Sequence, residues 1–498
     1  MRGMAHTSLH GALLFSGSIR RRPHLRHTHP APAASSLRDV RDACDVVVLG
    51  TGVYAASIAR QLAASGSRVV VACTPARETR SGPTRAPLFS ADAHGATLLT
   101  SLYATAAPLL RSFEEELTTK LLLPSGALHL APQAWLSTSL DCACAEAGIS
   151  VQSLSRDELT TRCPAFRNVP RDWEARLCRD GGTLLLDTLV DALHSSCARV
   201  GAAWLSDVEV LECQDRVGSW RLLLHSANAD TRRWIECEQL VLAPQSAPEA
   251  RYCLDKLQLD IPVPSTPDLW CAVRPHASSR EAFAGLPAWR THAPLPDPTE
   301  EETDVAAFTL QGCSDADATS LLRAHGQLVI DSEDAHARVM HSAVQLLPAL
   351  NRGASPQWMC TPVVACPDGA PVCSDIPGVE SGRAIFVTGD AQHALPLSAV
   401  AVELLRCMTP RDVRLMRAIS MKREAFTSAA ADARDAAAAA SAAAEQRKPQ
   451  EDEDAERQLK DASVDDALSL VQGRAKRSAG TSGQDFVFMP RADRRGQR

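Results

Sequence analysis

Residues 45–74, DVVVLGTGVYAASIARQLAASGSRVVVACT, constrain the fold of this chain more than any other stretch. Residues 46–49 form a short apolar run typical of a buried parallel strand, and a turn containing glycine follows. Residues 55–64 have helical spacing, and residues 69–72 form a second apolar run. The stretch therefore predicts a strand, a helix and a parallel strand, which together make one βαβ unit.

The turn of this unit has the spacing GxGxxA, with Gly50, Gly52 and Ala55 at its fixed positions. Gly50 allows the tight turn, Gly52 lets the backbone approach a pyrophosphate, and Ala55 permits close packing of helix and strand. The helix N-terminus offers backbone N–H groups to the anion. The predicted cofactor-binding loop is Gly50, Thr51, Gly52, Val53, Tyr54 and Ala55.

Cys73 ends the second apolar run, where such units usually carry an acid that accepts hydrogen bonds from the adenosine ribose. A thiol is a poor acceptor, so we expect any cofactor to be held weakly. Glu78 substitutes for the missing acid only if the loop folds back. The alternative is a unit that keeps its packing glycines and has lost its ligand.

Composition narrows the class of protein. The 498 residues are 45% hydrophobic, enough for about two or three domains, and the net charge of −7 gives no reason to expect a nucleic-acid partner. The 16 cysteines include no CxxC pair, so we expect reduced core residues and no metal site. There is no run of about eighteen apolar residues, which makes a transmembrane segment unexpected.

Both ends of the chain differ from its middle. The part before Asp39 is rich in arginine and histidine and has no acidic residue, so residues 1–43 are interpreted as a mitochondrial transit peptide or, alternatively, a disordered leader. Residues 408–498 are rich in alanine and charge, which predicts a largely disordered tail or an isolated helix.

Several longer segments follow the βαβ unit in a characteristic order. They are LYATAAPLLRSFEEEL, LLLPSGALHLAP, the segment from DGGTLLLDTLVDALH to SDVEVLEC, QLVLAPQSAP, CPDGAP and GDAQHALPLSAVAVELL. In this order and spacing the chain resembles the FAD-dependent oxidoreductases of the D-amino-acid oxidase and sarcosine oxidase family. The resemblance covers roughly residues 45–405, and its strength lies in the collinearity of the segments.

The resemblance implies an α/β fold in which a Rossmann-like FAD-binding domain is interleaved with an α+β substrate domain built on an antiparallel sheet. The whole fold would span residues 44–407. The FAD-binding parts would be about 44–84, 178–250 and 357–407, and the substrate parts about 85–177 and 251–356.

The resemblance also implies further contacts with the flavin. Val208 matches the residue whose backbone meets the adenine, and Asp368 lies in the Pro-Asp-Gly turn before the last strand that faces the flavin. Gly389 and His393 match the glycine and the histidine of the closing loop. Cys360 is one position out of register with a flavin-linked cysteine, so we expect non-covalent FAD.

The departures from the family pattern cluster at the cofactor. Gln392 and Ala394 stand where glycines are usual and would crowd the flavin ring. Pro244 replaces the glycine of an Ala-Gly pair. Pro396 stands where amine oxidases of the family carry a lysine thought to promote reaction with oxygen, so we expect a dehydrogenase rather than an oxidase.

The implied activity is oxidation of a small amine or amino acid by hydride transfer to the flavin. No catalytic residue is assigned, because His393 is equally well explained as a packing histidine, and Arg85 and His94 as parts of a solvated loop. The alternative is a catalytically degenerate member that acts as a mitochondrial assembly or scaffold protein with a protein partner. A nicotinamide-dependent dehydrogenase leaves CPDGAP and GDAQHA unexplained.

Overall fold

The structure is a computed structural model that describes most of the chain between residues 36 and 421. The described residues are 36–72, 87–91, 97–206, 208–226, 229–259, 261, 263–283, 286–292, 308–314, 320–326, 333–352, 355–364, 370–376, 379, 383–406, 417 and 419–421. Cys73 and Asp368, together with Glu78, Arg85 and His94, lie outside them.

The first large sheet has a parallel centre, as a dinucleotide-binding domain requires. It consists of β1 (Ala43–Leu49), β2 (Val69–Ala72), β9 (Ala203–Leu205), β10 (Val208–Arg216), β11 (Ser219–Ser226), β12 (Thr231–Leu242), β18 (Val372–Asp375) and β19 (Arg383–Thr388). The order is β10-β11-β12-β1-β2-β9, and β19 pairs with β12 and β18. Strands β12, β1, β2 and β9 are parallel neighbours, and β19 is parallel to β12.

The second large sheet is mainly antiparallel. It consists of β5 (Ala127–Pro132), β6 (Gln152–Leu154), β7 (Trp173–Cys178), β13 (Ser265–Val273), β14 (Ala288–Thr291), β15 (Phe308–Ser314), β16 (Ser320–Gly326) and β17 (Gln357–Val364). Its order is β17-β13-β16-β15-β14-β5-β7-β6, and only the β14–β5 pair among these is parallel. Because β17 pairs with β13, residues 357–364 join this sheet, although their expected place was in the FAD-binding part.

A third, small sheet has three strands, and ten α-helices belong to the described part of the fold. The small sheet has the order β3-β8-β4, with β3 (Leu88–Phe89), β4 (Leu122–Leu123) and β8 (Gly182–Leu184). The helices are α1 (Val53–Ala64), α2 (Thr97–Leu117), α3 (Gln133–Trp135), α4 (Asp141–Glu146), α5 (Arg156–Arg162), α6 (Leu186–Arg199), α7 (Ala247–Lys256), α8 (Arg280–Phe283), α9 (Glu333–Leu346) and α10 (Ala394–Leu405).

The predicted βαβ unit is confirmed over the residues that the structure describes. Strand β1 ends at Leu49, Gly50 follows it, and Ala55 lies in the first turn of α1. The strands β1 and β2 are parallel, with Val46 opposite Val69. Both strands are mostly buried because α1 covers one face of the sheet and α7 the other, which explains their continuous apolar sequence.

Three apolar clusters hold these layers together. The first packs α1, α2, α6 and α10 against one face of the first sheet, and the second packs α7 against the other face. Leu37 and Val40 are buried in the second cluster, so the packed structure begins ahead of residue 44, within the expected leader. The third cluster packs α9 against one face of the second sheet through residues such as Val339. Each large sheet therefore has its own core.

Three further properties bear on function. None of the described helices is long and apolar enough to cross a membrane. Within the same residues, no group of three or more His, Cys, Asp or Glu side chains is placed to hold a metal ion. The cysteines of the described ranges are free thiols, and most of them are buried.

Candidate functional site

The glycine loop after β1 lies against the end of the neighbouring strand β12. Gly50 has a φ of +150°, and a Cβ there would overlap the carbonyl oxygen of Ala243, which follows β12. Gly52 caps α1, and a Cβ on it would lie 3.0 Å from the Cβ of Gln245. The tight turn and the close approach of two backbones therefore require Gly50, as the sequence predicts.

The start of α1 has the features of an anion site. Among the described residues, the backbone N–H groups of Gly52, Val53 and Tyr54 donate no hydrogen bond. No acidic residue occupies the first turn of α1. Buried N–H groups at the positive end of a helix favour a phosphate. The loop therefore fits the pyrophosphate of a dinucleotide.

A carboxylate lies beside this loop. Glu249, in the first turn of α7, is only 5% exposed. It accepts hydrogen bonds from the backbone N–H of Gln245 at 2.6 Å and from the hydroxyl of Thr51 at 3.3 Å. The adjacent carbonyl of Pro244 accepts a hydrogen bond from Thr388 at 3.4 Å. The loop after β12 is thus tied both to the glycine loop and to β19.

The closing loop between β19 and α10 meets the first turn of α1. The Tyr54 hydroxyl donates a hydrogen bond of 2.8 Å to the carbonyl of Asp390. Burial, with the nearby Asp390 carboxylate, raises the pKa of Tyr54 well above its ordinary value, so it remains a donor. Gly389 has a φ of +147°, and a Cβ there would overlap Pro371. His393, buried at 1% exposure, directly precedes α10.

The departures at the closing loop are accommodated within the protein. Gln392 is buried, and its side-chain oxygen accepts a hydrogen bond of 3.3 Å from the backbone N–H of Ser90. Ala394 and Pro396 are buried in the first turn of α10. The side chain of Gln392 therefore connects the closing loop to the residue that follows β3.

A row of polar side chains crosses the second sheet. Its members lie directly opposite one another on neighbouring strands, so their side chains share one face. Each of them is at most 7% exposed. We call this set the polar row; it consists of Trp270, Arg323, Gln311, Arg290, His129 and Arg176. The residues next to them along the strands, such as Trp289 and Leu322, belong to the apolar cluster under α9.

Arg323 joins the polar row to the closing loop. Its guanidinium donates to Asp268 of β13 at 2.7 Å and to Asp390 at 2.9 Å, and Trp270 donates to the same Asp268 at 2.9 Å. Burial lowers the pKa of Arg323, but Asp268 and Asp390 outweigh it and raise the pKa above its ordinary value. The carbonyl of Asp390 therefore accepts a hydrogen bond from Tyr54, and its carboxylate accepts one from Arg323.

A second connection runs through two histidines. Ser90 Oγ and His129 Nε2 are 2.6 Å apart, and His129 Nδ1 lies 2.7 Å from His292 Nε2. His292 also stacks on Trp135, with 4.5 Å between the ring centroids. Because Ser90 bonds to Gln392, the polar row faces the closing loop at two places.

The predicted site residues divide into three groups. The six loop residues, Gly389 and His393 come together, since Tyr54 contacts both Asp390 and the edge of Gly389. Val208 is buried at the start of β10 in the same cluster as Ala72, the last residue of β2. Cys73 and Asp368 lie outside the described residues.

The polar row was not predicted from the sequence. Two members stand out in the sequence as charged or titratable residues in short, largely apolar strands, His129 in ALHLAP and Arg290 in AWRT. Buried polar side chains are rare unless they are bonded or functional, so this pattern was a usable signal. The pairing of six strands, which places these residues side by side, is not visible in any one segment.

Comparisons with known proteins agree with this architecture. Residues 45–407 match the sequence profile of the DAO family, described as FAD dependent oxidoreductase. Glycine oxidase from Geobacillus kaustophilus has a similar structure, with 17% identity, a TM-score of 0.57, and coverage of 76% of this chain and 98% of the oxidase. A search of curated proteins finds no significant match.

Two further solved structures have the same fold. L-proline dehydrogenase from P. horikoshii is 15% identical with a TM-score of 0.59, over 76% of this chain and 98% of the dehydrogenase. L-amino acid deaminase from Proteus vulgaris is 12% identical with a TM-score of 0.58, over 77% of this chain and 98% of the deaminase. At these identities the likeness shows a shared fold.

Proposed function

The chain belongs to the FAD-dependent oxidoreductase family, and on this premise we propose that it binds FAD without a covalent bond and oxidises a small amine or amino acid. Bound FAD supplies the hydride acceptor. The N–H groups of Gly52, Val53 and Tyr54 would hold its pyrophosphate. The substrate class is extended to this chain from glycine oxidase and L-proline dehydrogenase, which share its fold.

One observation on the polar row carries the substrate proposal. Gln311 is 5% exposed, and its side-chain oxygen has no hydrogen-bond partner in the described part of the chain. It lies between Arg290 and Arg323 on the face that meets the closing loop. A buried acceptor without a donor is costly, and an amine nitrogen supplies the missing donor.

The neighbours of Gln311 have different roles. Arg323 is neutralised by two carboxylates, so it holds the closing loop against the sheet. Arg290 lies buried directly opposite Gln311 on β14. These residues would orient the substrate with its nitrogen toward β15 and exclude water from it.

The first experiment is the visible spectrum of the purified protein. Flavin absorption bands, and their bleaching under anaerobic conditions by a set of small amines and amino acids, are expected. Gln311→Leu should then lower kcat/KM for the substrate found by about tenfold to a hundredfold, the effect of one hydrogen bond to a charged group. Gln214→Leu, on β10 of the first sheet, is the matched control and should have no effect.

We further propose that the reduced protein reacts slowly with oxygen. Pro396 lies buried in the first turn of α10 and carries no charge, so it cannot stabilise a developing superoxide anion. Mixing reduced protein with oxygenated buffer measures the rate of reoxidation. A rate like that of an efficient oxidase would contradict this proposal and would implicate another cation, such as protonated His393.

The basic, acid-free start of the chain supports a mitochondrial location as a further proposal. Fusion of residues 1–43 to a fluorescent reporter tests it, and a purely cytosolic signal would refute it. The buried carboxylate of Glu249 beside the glycine loop favours a second candidate function, a scaffold or assembly protein with a protein partner. A colourless protein that FAD does not stabilise would support that candidate.

A further inference from the structure

The carboxylate of Glu249 lies between two helix N-termini. It is the third residue of α7 after the cap, Ser246, whose hydroxyl accepts a hydrogen bond of 3.3 Å from the Glu249 N–H. One carboxylate oxygen accepts from the backbone N–H of Gln245, just ahead of α7. The other oxygen accepts from Thr51, which immediately precedes the cap of α1.

This position gives the carboxylate two sources of stabilisation. The start of a helix carries a partial positive charge, and negative groups are stabilised within its first turn. Glu249 benefits from α7 directly, and Thr51 connects it to the loop at the start of α1. Helix α1 has no acid of its own in its first turn, so Glu249 is the acidic side chain that the described hydrogen bonds bring to that loop.

The same loop is the one that fits a pyrophosphate. The side chain of Gln245 lies against Gly52, with its oxygen 3.2 Å from the position that a Cβ on Gly52 would occupy. Gln245 lies against Gly52 and Glu249 bonds to Thr51, so an amide and a carboxylate adjoin the loop that would hold a pyrophosphate. A pyrophosphate bound there would be repelled by the negative charge of Glu249. It would also share the positive helix N-termini with that carboxylate.

We propose that the negative charge of Glu249, next to the glycine loop after β1, repels the pyrophosphate of FAD and determines how tightly the protein binds FAD. This inference rests on the proposed FAD site. Glu249, in the first turn of α7, would then be one cause of weak FAD binding. The absence of an acid at Cys73 would be a separate cause. A protein with this carboxylate neutralised should accept the pyrophosphate more readily.

The test compares Glu249→Gln with a matched control on the same helix. Glutamine has the shape of glutamate and still accepts from the N–H of Gln245, so the cap of α7 is retained. Asp255→Asn, at an exposed position near the end of α7, removes an equal charge away from the loop. The dissociation constant of FAD is measured for each apoprotein by quenching of flavin fluorescence, and thermal unfolding without FAD checks the fold.

We expect Glu249→Gln to lower the dissociation constant of FAD by about tenfold or more, as for removal of a like charge from a partly buried site. Asp255→Asn should change it less than about twofold, because an exposed charge is screened. Riboflavin, which has no pyrophosphate, should bind the variant and the native protein alike. If Glu249→Gln does not fold, Glu249→Ala carries the same expectation.

The dissociation constants of FAD and riboflavin separate a failure of this inference from a failure of the proposed function. An unchanged or larger dissociation constant for FAD in Glu249→Gln, with the fold intact, overturns the inference while the proposed function stands. An equal gain for riboflavin also overturns it, because the effect would not lie at the pyrophosphate. If neither the native protein nor any variant binds FAD, the proposed function fails and the inference fails with it.

Discussion

Replacement of Arg323 by methionine tests how the second sheet is joined to the closing loop. Methionine has a similar length and no charge, so Arg323→Met leaves the buried carboxylate of Asp268 without this cation. Removing one partner of a buried ion pair costs about 3–5 kcal/mol. Because the side chain of Asp390 is 34% exposed and water can solvate it, we expect the lower end of that range, about 3 kcal/mol.

The assay is urea unfolding followed by tryptophan fluorescence, since Trp270 contacts the same network. Arg111→Met, which removes an exposed pair with Asp180, should cost less than about 1 kcal/mol. Adding Asp268→Asn to Arg323→Met should restore most of the loss, because the buried charge is then gone. The reasoning is refuted if Arg323→Met costs no more than Arg111→Met.

Three further predictions address the first sheet. Gly50→Ala should prevent folding or lower the free energy of unfolding by well over the roughly 1 kcal/mol expected for Gly66→Ala. Both glycines have positive φ, but only at Gly50 would the added Cβ overlap a backbone oxygen. The urea midpoints of the two variants measure the difference. Hydrogen bonds from Arg68 lower the pKa of Asp45, so the stability it adds is present above its unfolded pKa and is lost as pH falls through the folded value. The difference between native protein and Asp45→Asn should therefore shrink below about pH 4, and a constant difference would contradict this. Cys73→Glu should tighten FAD binding about tenfold to a hundredfold by supplying the ribose acceptor, and an unchanged dissociation constant in a folded variant would show that another group already does so.

The βαβ unit could be predicted because its information is local. Its strands are continuous apolar runs, its helix has one apolar face, and its glycines are spaced for one known turn. The segment LYATAAPLLRSFEEEL, residues 102–117, likewise has helical apolar spacing and forms the greater part of α2. These are properties of side-chain period and backbone freedom, which a short window of sequence contains.

The second sheet shows what local information lacks. The strand β14 pairs in parallel with β5 but antiparallel with β15, and β17 pairs with β13 although it follows α9. These pairings join segments far apart in the chain, and alternation within a strand specifies a face but not a neighbour. The same limit concealed the polar row, since His129 and Gln311 come from strands separated by much of the domain.

The closing loop shows why a departure from a family pattern need not mean a lost structure. From the sequence, Gln392 was expected to crowd the flavin ring, because its side chain stands where a glycine is usual. In the structure this side chain bonds to the backbone of Ser90, whose hydroxyl continues to His129. Asp390 makes the parallel connection from Tyr54 to Arg323. The carbonyl and carboxylate of Asp390, together with the side chain of Gln392, thus connect α1 and the polar row through one short loop, and Gln311 lies on the face of the sheet that meets this loop.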